Sequence, residues 1–228
     1  MSSTAGSRII LTTLNARYMH TAFGLRYLYA NLGELRSTAR IEEFSIQQRP
    51  IDIAEQLLKH RPKIIGFGVY IWNVAEIAKT VELLKQISAD TVIVLGGPEV
   101  SHLPDRPAVV DMVDYVVMSA AEKCFRVLCQ SILSGDRPRQ REIQSDELPL
   151  DQIRMPYQYY TDEDIKNRLI YVEASRGCPF KCEFCLSSLD KTSKPFEPGL
   201  FLDAVSYTHL RAHETGVEIA YAVLCLKK

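Results

Sequence analysis

The chain has 228 residues, a formal net charge of −1, and is 46% hydrophobic and 24% charged, the profile of a globular protein of one or two domains. With so little net charge, and lysines and arginines scattered along the sequence, a nucleic-acid surface built on bulk charge is excluded, and no apolar run reaches the roughly 20 residues of a membrane helix. Residues 1–8 are small and polar, without a hydrophobic signal core, so the expectation is a cytoplasmic protein with no nucleic-acid and no membrane partner.

Residues 8–134 alternate strand-like and helix-like segments. Residues 8–14 form a short apolar, β-branched run, a first strand, followed by Leu25, Leu28 and Leu32 at helical spacing. Residues 41–46 alternate weakly and predict a second strand; Asp52 with Glu55 reads as a capping box for a short helix. Residues 63–71 are almost continuously apolar, as strands covered on both faces are. Asn73 and Glu76 sit where they would cap the next helix, whose stripe is Val74, Ile77, Ala78, Val81 and Leu84. Residues 91–95 are the clearest strand and end in Gly96-Gly97-Pro98; residues 115–118 are the last, after which Ser119 and Glu122 open a helix through Phe125, Leu128, Ile132 and Leu133. This repeat predicts an α/β fold, a flavodoxin-like (Rossmann-like) doubly wound parallel sheet with helices on both faces. Ligands of such sheets sit at the carboxyl ends of the strands, here the loops 15–21, 70–73, 96–102 and 119–122. The expected division is a first domain over 1–135, a polar, proline-bearing linker over 136–166, a second unit over 167–204 that begins with a strand at 168–174, and a tail over 205–228.

Three of the six cysteines fall within eight residues, Cys178-Pro-Phe-Lys-Cys182-Glu-Phe-Cys185. Thiolates are soft ligands suited to iron–sulfur clusters, zinc or copper(I). Structural zinc takes four ligands, and the downstream candidates to complete a set are only His209, His213 and Cys225. A cubane cluster normally takes four cysteines, so three leave one iron open to an external chelating ligand. Incidental cysteines and a zinc site are the alternatives. Neither a G-x-G-x-x-G after the first strand nor a Walker lysine motif is present, which weakens dinucleotide and nucleoside-triphosphate readings.

The C-x3-C-x2-C spacing, with Phe184 before the third cysteine, resembles the signature of the radical S-adenosylmethionine superfamily. The run Ser175-Arg-Gly-Cys-Pro-Phe-Lys-Cys182 is similar to members that carry an N-terminal cobalamin-binding domain. So are Asn15-Ala-Arg-Tyr-Met-His20, Gly66-Phe-Gly-Val-Tyr-Ile-Trp-Asn73 and Leu95-Gly-Gly-Pro-Glu99. The resemblance implies that Cys178, Cys182 and Cys185 each ligate one iron of a [4Fe–4S] cluster, that the fourth iron binds S-adenosylmethionine, and that one-electron cleavage yields a 5′-deoxyadenosyl radical. The electron would come from a donor of the flavodoxin or ferredoxin type. It further implies cobalamin as a cofactor, with Asn15, Tyr70, Trp72, Gly96, Gly97, Glu99 and Glu122 as candidate contacts and Phe184 beside the cluster. Gly96 and Gly97 let backbone approach a large ring or simply make a tight turn; Tyr70 and Trp72 line the ligand or pack in the core. His20 is not taken as a cobalt ligand, because the D-x-H-x-x-G pattern is absent and the residue is read as a polar loop histidine. Cys124 and Cys129 are read as core or surface thiols.

Such enzymes normally continue as a β/α (TIM-like) barrel of roughly 200 residues or more, whereas 43 residues follow Cys185, so the second unit is expected to be the truncated start of that barrel. The segment from Val205 to Thr215 and that from Tyr221 to Lys228 resemble a translated sequencing-adaptor artefact, and natural sequence is expected to stop near Ala204. The expected parent reaction is methyl transfer or a cyclisation. The rivals are a non-catalytic cobalamin-binding module and an iron–sulfur or zinc protein.

Overall fold

The computed structural model describes residues 7–101, 106–144, 147–180, 182–183 and 192–207. The apolar runs become strands because both of their faces are covered. Every residue of β1 (Ile9–Asn15) is buried, as are four of the five in β3 (Ile64–Gly68) and in β4 (Val92–Gly96). With β2 (Ala39–Ser45), β5 (Tyr115–Val117) and β6 (Glu142–Ile143) they form one sheet in the order β2-β1-β3-β4-β5-β6. Each pairing is parallel, and the order reverses between β1 and β3, the switch point at which ligands of open sheets bind.

Side chains leave a strand to alternate faces, and the two cores follow that alternation. Ile10 and Leu14 join α2 (Pro50–Leu58) and α3 (Val74–Ile87) through Ile53, Leu57, Ile77, Val81 and Leu84. Ile9 and Leu11 join α1 (Phe23–Ala30) and α5 (Glu122–Ser134) through Leu25, Phe125, Leu128 and the buried thiols Cys124 and Cys129. The flavodoxin-like sheet expected from the sequence is therefore present. β6, a two-residue strand in the segment read as linker, was not expected; it forms because the Val116 and Met118 amides, left open on the outer edge of β5, donate to Arg141 and Ile143 carbonyls at 2.8 and 2.9 Å.

Three local expectations are corrected. α2 starts at Pro50, whose fixed φ suits the first helical position, so Asp52 is not its cap; both Asp52 oxygens accept from the Arg49 guanidinium at 2.7 Å. Asn73 precedes α3, yet its side chain caps nothing there. It is fully buried, and its Nδ2 donates to Thr13 Oγ1, the Leu14 carbonyl and the Gly68 carbonyl at 3.0–3.2 Å, while its Oδ1 accepts from the Tyr70 amide at 2.8 Å. Likewise α5 begins at Glu122 without a side-chain cap, and Ser119 takes a left-handed φ of 61° instead of capping it.

The strand expected over 168–174 is also corrected. Only an isolated parallel bridge between His20 and Leu169 forms, followed by β7 (Ser175–Arg176), antiparallel to β8 (Lys194–Pro195). A barrel strand needs parallel neighbours to saturate its backbone, and among the described residues none flanks this segment. Side chains satisfy it instead: Tyr160 and Tyr157 hydroxyls donate to the Tyr171 and Glu173 carbonyls at 2.9 and 3.1 Å. Among the described residues a barrel start is thus not seen. Residues 208–228, most of the suspected tail, lie outside the described residues; 205–207 end α7 (Pro198–Tyr207).

Residues 147–168 run back over α1. Ile153 and Phe196 pack on Tyr27, and Asn31 and the Arg154 backbone exchange two hydrogen bonds of 2.9 and 3.0 Å. Beside them a four-charge cluster is buried. Arg26 pairs with Glu43 at 2.7 Å and with Asp164 at 2.8 Å; Arg168 pairs with the same two carboxylates at 2.8 and 2.7 Å, and all four side chains are at least nine-tenths buried. α6 (Asp162–Asn167) holds Asp164 in place by a capping box with Thr161. Among the described residues no helix is long and apolar enough to cross a membrane.

Candidate functional site

A cavity of about 460 Å³ opens at the carboxyl ends of β3, β4 and β5. Its floor is Gly66, Phe67, Gly68, Val94, Leu95, Gly96 and Val117. One wall is α1, through Phe23, Gly24, Leu25, Tyr27 and Leu28; the other is the turn 119–121 with Glu122 and Phe125 of α5. Glu173, Arg176 and Gly177 close the rim from the cysteine-bearing segment, and Glu147 and Tyr70 complete it. The expected loops 70–73, 96–102 and 119–122 each contribute to it. Loop 15–21 does not: it is covered by the chain around residue 169, where the Leu169 amide donates to the Met19 carbonyl at 2.6 Å and Thr21 donates to the Leu169 carbonyl at 2.7 Å.

The polar groups of the cavity gather at one end. Arg176 Nη2 donates to Glu122 Oε1 at 2.5 Å and its Nε to Glu173 Oε2 at 3.2 Å, while its guanidinium lies 4.8 Å from the centre of the Tyr27 ring. The Tyr27 hydroxyl is buried, faces Glu173 and Tyr157, and no hydrogen bond of good geometry closes on it. Burial pushes the Tyr27 phenol up, helped by the neighbouring Glu173 charge. Burial also raises the Glu173 carboxyl, against the lowering influence of Arg176.

The two glycines of the Gly96-Gly97 pair differ. Gly97 has φ +108°, and a Cβ there would meet the Val69 carbonyl oxygen at 2.5 Å and the Val69 nitrogen at 2.9 Å. It is required by the tight approach of β4's end to the chain after β3. A Cβ on Gly96 would meet only the Val117 carbonyl oxygen, at 3.5 Å, so this position keeps the floor of the cavity low.

The remaining candidates scatter. Tyr70 lines the cavity and stacks on Trp72, rings 4.5 Å apart and 6° from parallel; Trp72 and Ile71 are exposed. Of this stacked pair only Tyr70 reaches the cavity; Trp72 is not among the lining residues. Glu122 lines the cavity as the first residue of α5. Glu99, on the short helix α4 (Pro98–Ser101), is not among the lining residues. Neither is Asn15, which donates to the His20 carbonyl at 2.9 Å and to Glu43 at 2.7 Å, and so props the buried charge cluster. His20 is held by Tyr171, Nδ1 to hydroxyl 2.5 Å, and among the described residues no histidine lines the cavity. Sequence reasoning missed Tyr27, Glu173 and Arg176. The last two lie just before the cysteines, but only the tertiary fold carries them back to the sheet.

Cys178 and Cys182 are free thiols, half-buried and exposed respectively. Cys185 and Phe184 lie outside the described residues. The two described thiols suit a soft metal centre by donor chemistry, and each is accessible to one.

A six-stranded parallel sheet with a ligand cavity at its carboxyl edge defines a doubly wound ligand-binding domain. The family model for the B12 binding domain matches residues 9–128; the chain belongs to that family, and cobalamin is the cofactor class this membership assigns. The chain is 26% identical over 187 residues to an uncharacterized methyltransferase of Pyrococcus horikoshii, covering 73% of this chain and 40% of that protein. It is 27% identical to the 2-(S-pantetheinyl)-carbapenam-3-carboxylate methyltransferase of Streptantibioticus cattleyicolor, over 54% of this chain and 22% of that one. It is 26% identical to the cobalamin-dependent radical SAM methyltransferase TokK of Streptomyces tokunonensis, over 64% and 25%. The chain therefore spans less than half the length of these curated relatives.

Proposed function

We propose that the chain comprises the corrinoid-binding domain and cluster loop of a cobalamin-dependent radical S-adenosylmethionine enzyme whose reaction is a methyl transfer or, less closely in line with the relatives, a cyclisation. The observation that supports this reading is that the start of the cysteine segment adjoins the sheet's cavity. Arg176 and Gly177 line the sheet's cavity, and Cys178, the first of the three spaced cysteines, is the next residue. The methyltransferase relatives support the reaction class.

In this reading, residues 66–68, 94–97 and 119–122 hold part of the corrinoid ligand. A cavity of about 460 Å³ falls within the usual range for small-molecule sites and would admit only part of so large a ligand. Cys178, Cys182 and Cys185 would hold a [4Fe–4S] cluster, and a flavodoxin- or ferredoxin-type protein would supply its electron. When bound, the cluster supplies the electron that cleaves S-adenosylmethionine and the corrinoid supplies a cobalt-borne one-carbon unit. The chain's own residues would bind and orient these groups: the glycine floor admits the ligand, the Glu122–Arg176 pair offers polar contacts at one end, and Phe23, Phe125 and Leu28 exclude water along the walls.

The test is anaerobic reconstitution of the gene product with iron, sulfide and hydroxocobalamin. The expected result is bound corrinoid together with a cluster whose electron paramagnetic resonance spectrum changes on adding S-adenosylmethionine. Replacing Cys178, Cys182 and Cys185 together by alanine should abolish the iron and leave corrinoid binding intact. A protein that binds no iron, fills with stoichiometric zinc, or carries a cluster indifferent to S-adenosylmethionine would refute the radical half of the proposal.

A further inference from the structure

We propose that residues 150–168 form a strap that fixes α1 as a wall of the sheet's cavity, and that Asp164 and Arg168 are positioning residues for the ligand seated there. The proposal rests on the corrinoid reading above and extends it to residues that do not touch the cavity.

α1 has little of its own to hold it in place. It is eight residues long, with no side-chain cap and no acidic residue in its first turn, and isolated helices shorter than about 12 residues are marginal in water. Yet Phe23, Leu25 and Leu28 of this helix wall the cavity. None of residues 150–168 lines that cavity; they cover α1 from outside and tie it at both ends. At the N-terminal end, Glu43 accepts from the Ala22 amide and from Arg26, each at 2.7 Å, and a carboxylate at a helix N-terminus is favourable. Asp164 takes the other arm of Arg26 at 2.8 Å. Arg168 bridges Asp164 and Glu43. It also donates to the Tyr18 carbonyl at 2.9 Å and to the His20 carbonyl, just ahead of the helix. At the C-terminal end, Asn31 is held by the Arg154 backbone. Between the two ends, the Arg26 guanidinium lies over the Tyr160 ring at 4.7 Å, Tyr159 meets Tyr29 edge-on at 5.1 Å, and Tyr157 stacks on Phe23 at 6.3 Å.

The direction of the effect follows from charge balance. Two cations and two anions share one buried site. Taking the charge from Asp164 leaves Arg26 and Arg168 to compete for Glu43, and a buried charge that has lost its partner is strongly destabilising. Displacement relieves it. β2, which carries Glu43, is locked to β1 along its whole length, so the displacement falls on α1 and the strap. The wall of the cavity then shifts while its floor stays, and the ligand is held less well although no group that touches it has been changed.

The experiment is absorbance titration of the full chain, metal-free and reduced, with hydroxocobalamin, together with hydrogen exchange by mass spectrometry on peptides covering residues 22–32. Asp164→Asn should weaken hydroxocobalamin binding by about fivefold or more, the lower end of typical couplings between sites, and should speed exchange in α1. Asp164→Glu, which keeps the charge, should recover part of both. Val81→Ala, at a fully buried position in the core on the opposite face of the sheet, controls for a general loss of stability and should leave both readouts at the wild-type level where it is folded. Should Asp164→Asn fold poorly, Thr161→Ala removes only the capping box that holds Asp164 and should move both readouts the same way by a smaller amount. Wild-type affinity in the folded Asp164 or Thr161 variant, or an equal loss in Val81→Ala, would overturn the proposal and leave the corrinoid reading intact. A wild type that binds no hydroxocobalamin would overturn both.

Discussion

Asn73 offers a sharp test of how the ligand-bearing edge is held. Leu14 lies one residue beyond the last β1–β3 pair, Thr13 with Gly68, so its carbonyl has no ladder partner on that side. Asn73 supplies one at 3.0 Å and satisfies the Tyr70 amide at 2.8 Å. Asn73→Ala would strand one buried acceptor and one buried donor. At about 1–3 kcal/mol for each unsatisfied group, with some relief from water entering the space, the loss of stability should be about 2–4 kcal/mol. The thermal midpoint should fall by about 5–15 °C. Asn73→Asp is nearly isosteric but sets an acceptor against the Leu14 and Gly68 carbonyls, so it should cost more than the alanine change despite filling the space. Urea denaturation of the wild type, Asn73→Ala and Asn73→Asp orders the three. The reasoning fails if the aspartate variant lies within about 0.5 kcal/mol of the wild type.

The buried charge cluster makes stability depend on acid. Burial raises the Glu43 and Asp164 carboxyls, but Arg26 and Arg168, with Asn15 at Glu43 and the Thr161 amide at Asp164, outweigh it and hold both below their ordinary values. Their stabilisation is present above the unfolded values near pH 4 and is lost as pH falls through the lower folded values. The urea midpoint should therefore drop from about pH 4 downward, and Glu43→Gln should flatten that drop; an unchanged slope in the variant would contradict the assignment. Arg26→Met should cost about 3–5 kcal/mol at pH 7, because it leaves Glu43 and Asp164 to share one cation, as measured by chemical denaturation. The glycine pair separates fold from ligand: Gly97→Ala should lose at least about 2 kcal/mol through its positive φ and the Val69 backbone clash. Gly96→Ala should stay within about 1 kcal/mol of the wild type yet weaken hydroxocobalamin binding about tenfold, as read by absorbance titration.

The sheet was legible because its signals are local. Residues 8–14, 63–71 and 91–95 are apolar over whole strands, and the helices between them carry stripes such as Val74, Ile77, Val81 and Leu84; together they fix a β-α repeat before any contact is known. Tyr70, Gly96 and Glu122 could be picked out because ligands of such sheets gather where the strands end. The cysteine spacing, too, is a property of the chain alone. Asn73 reads as a helix cap because a sequence shows only local partners, whereas its side chain bonds to a group 60 residues away, as that of Glu122 does to one 54 residues away.

What the sequence by itself determined was therefore the alternation of elements, the doubly wound class and the presence of a thiolate-rich loop, since each depends on residue order over a few turns. The tertiary structure alone decided that residues 168–174 do not pair as a regular strand, that Arg26, Glu43, Asp164 and Arg168 share one buried site, and that Arg176 reaches the cavity. Those outcomes depend on which distant groups are left to satisfy a buried charge or an open backbone amide, and that choice is made only when the chain has closed around them.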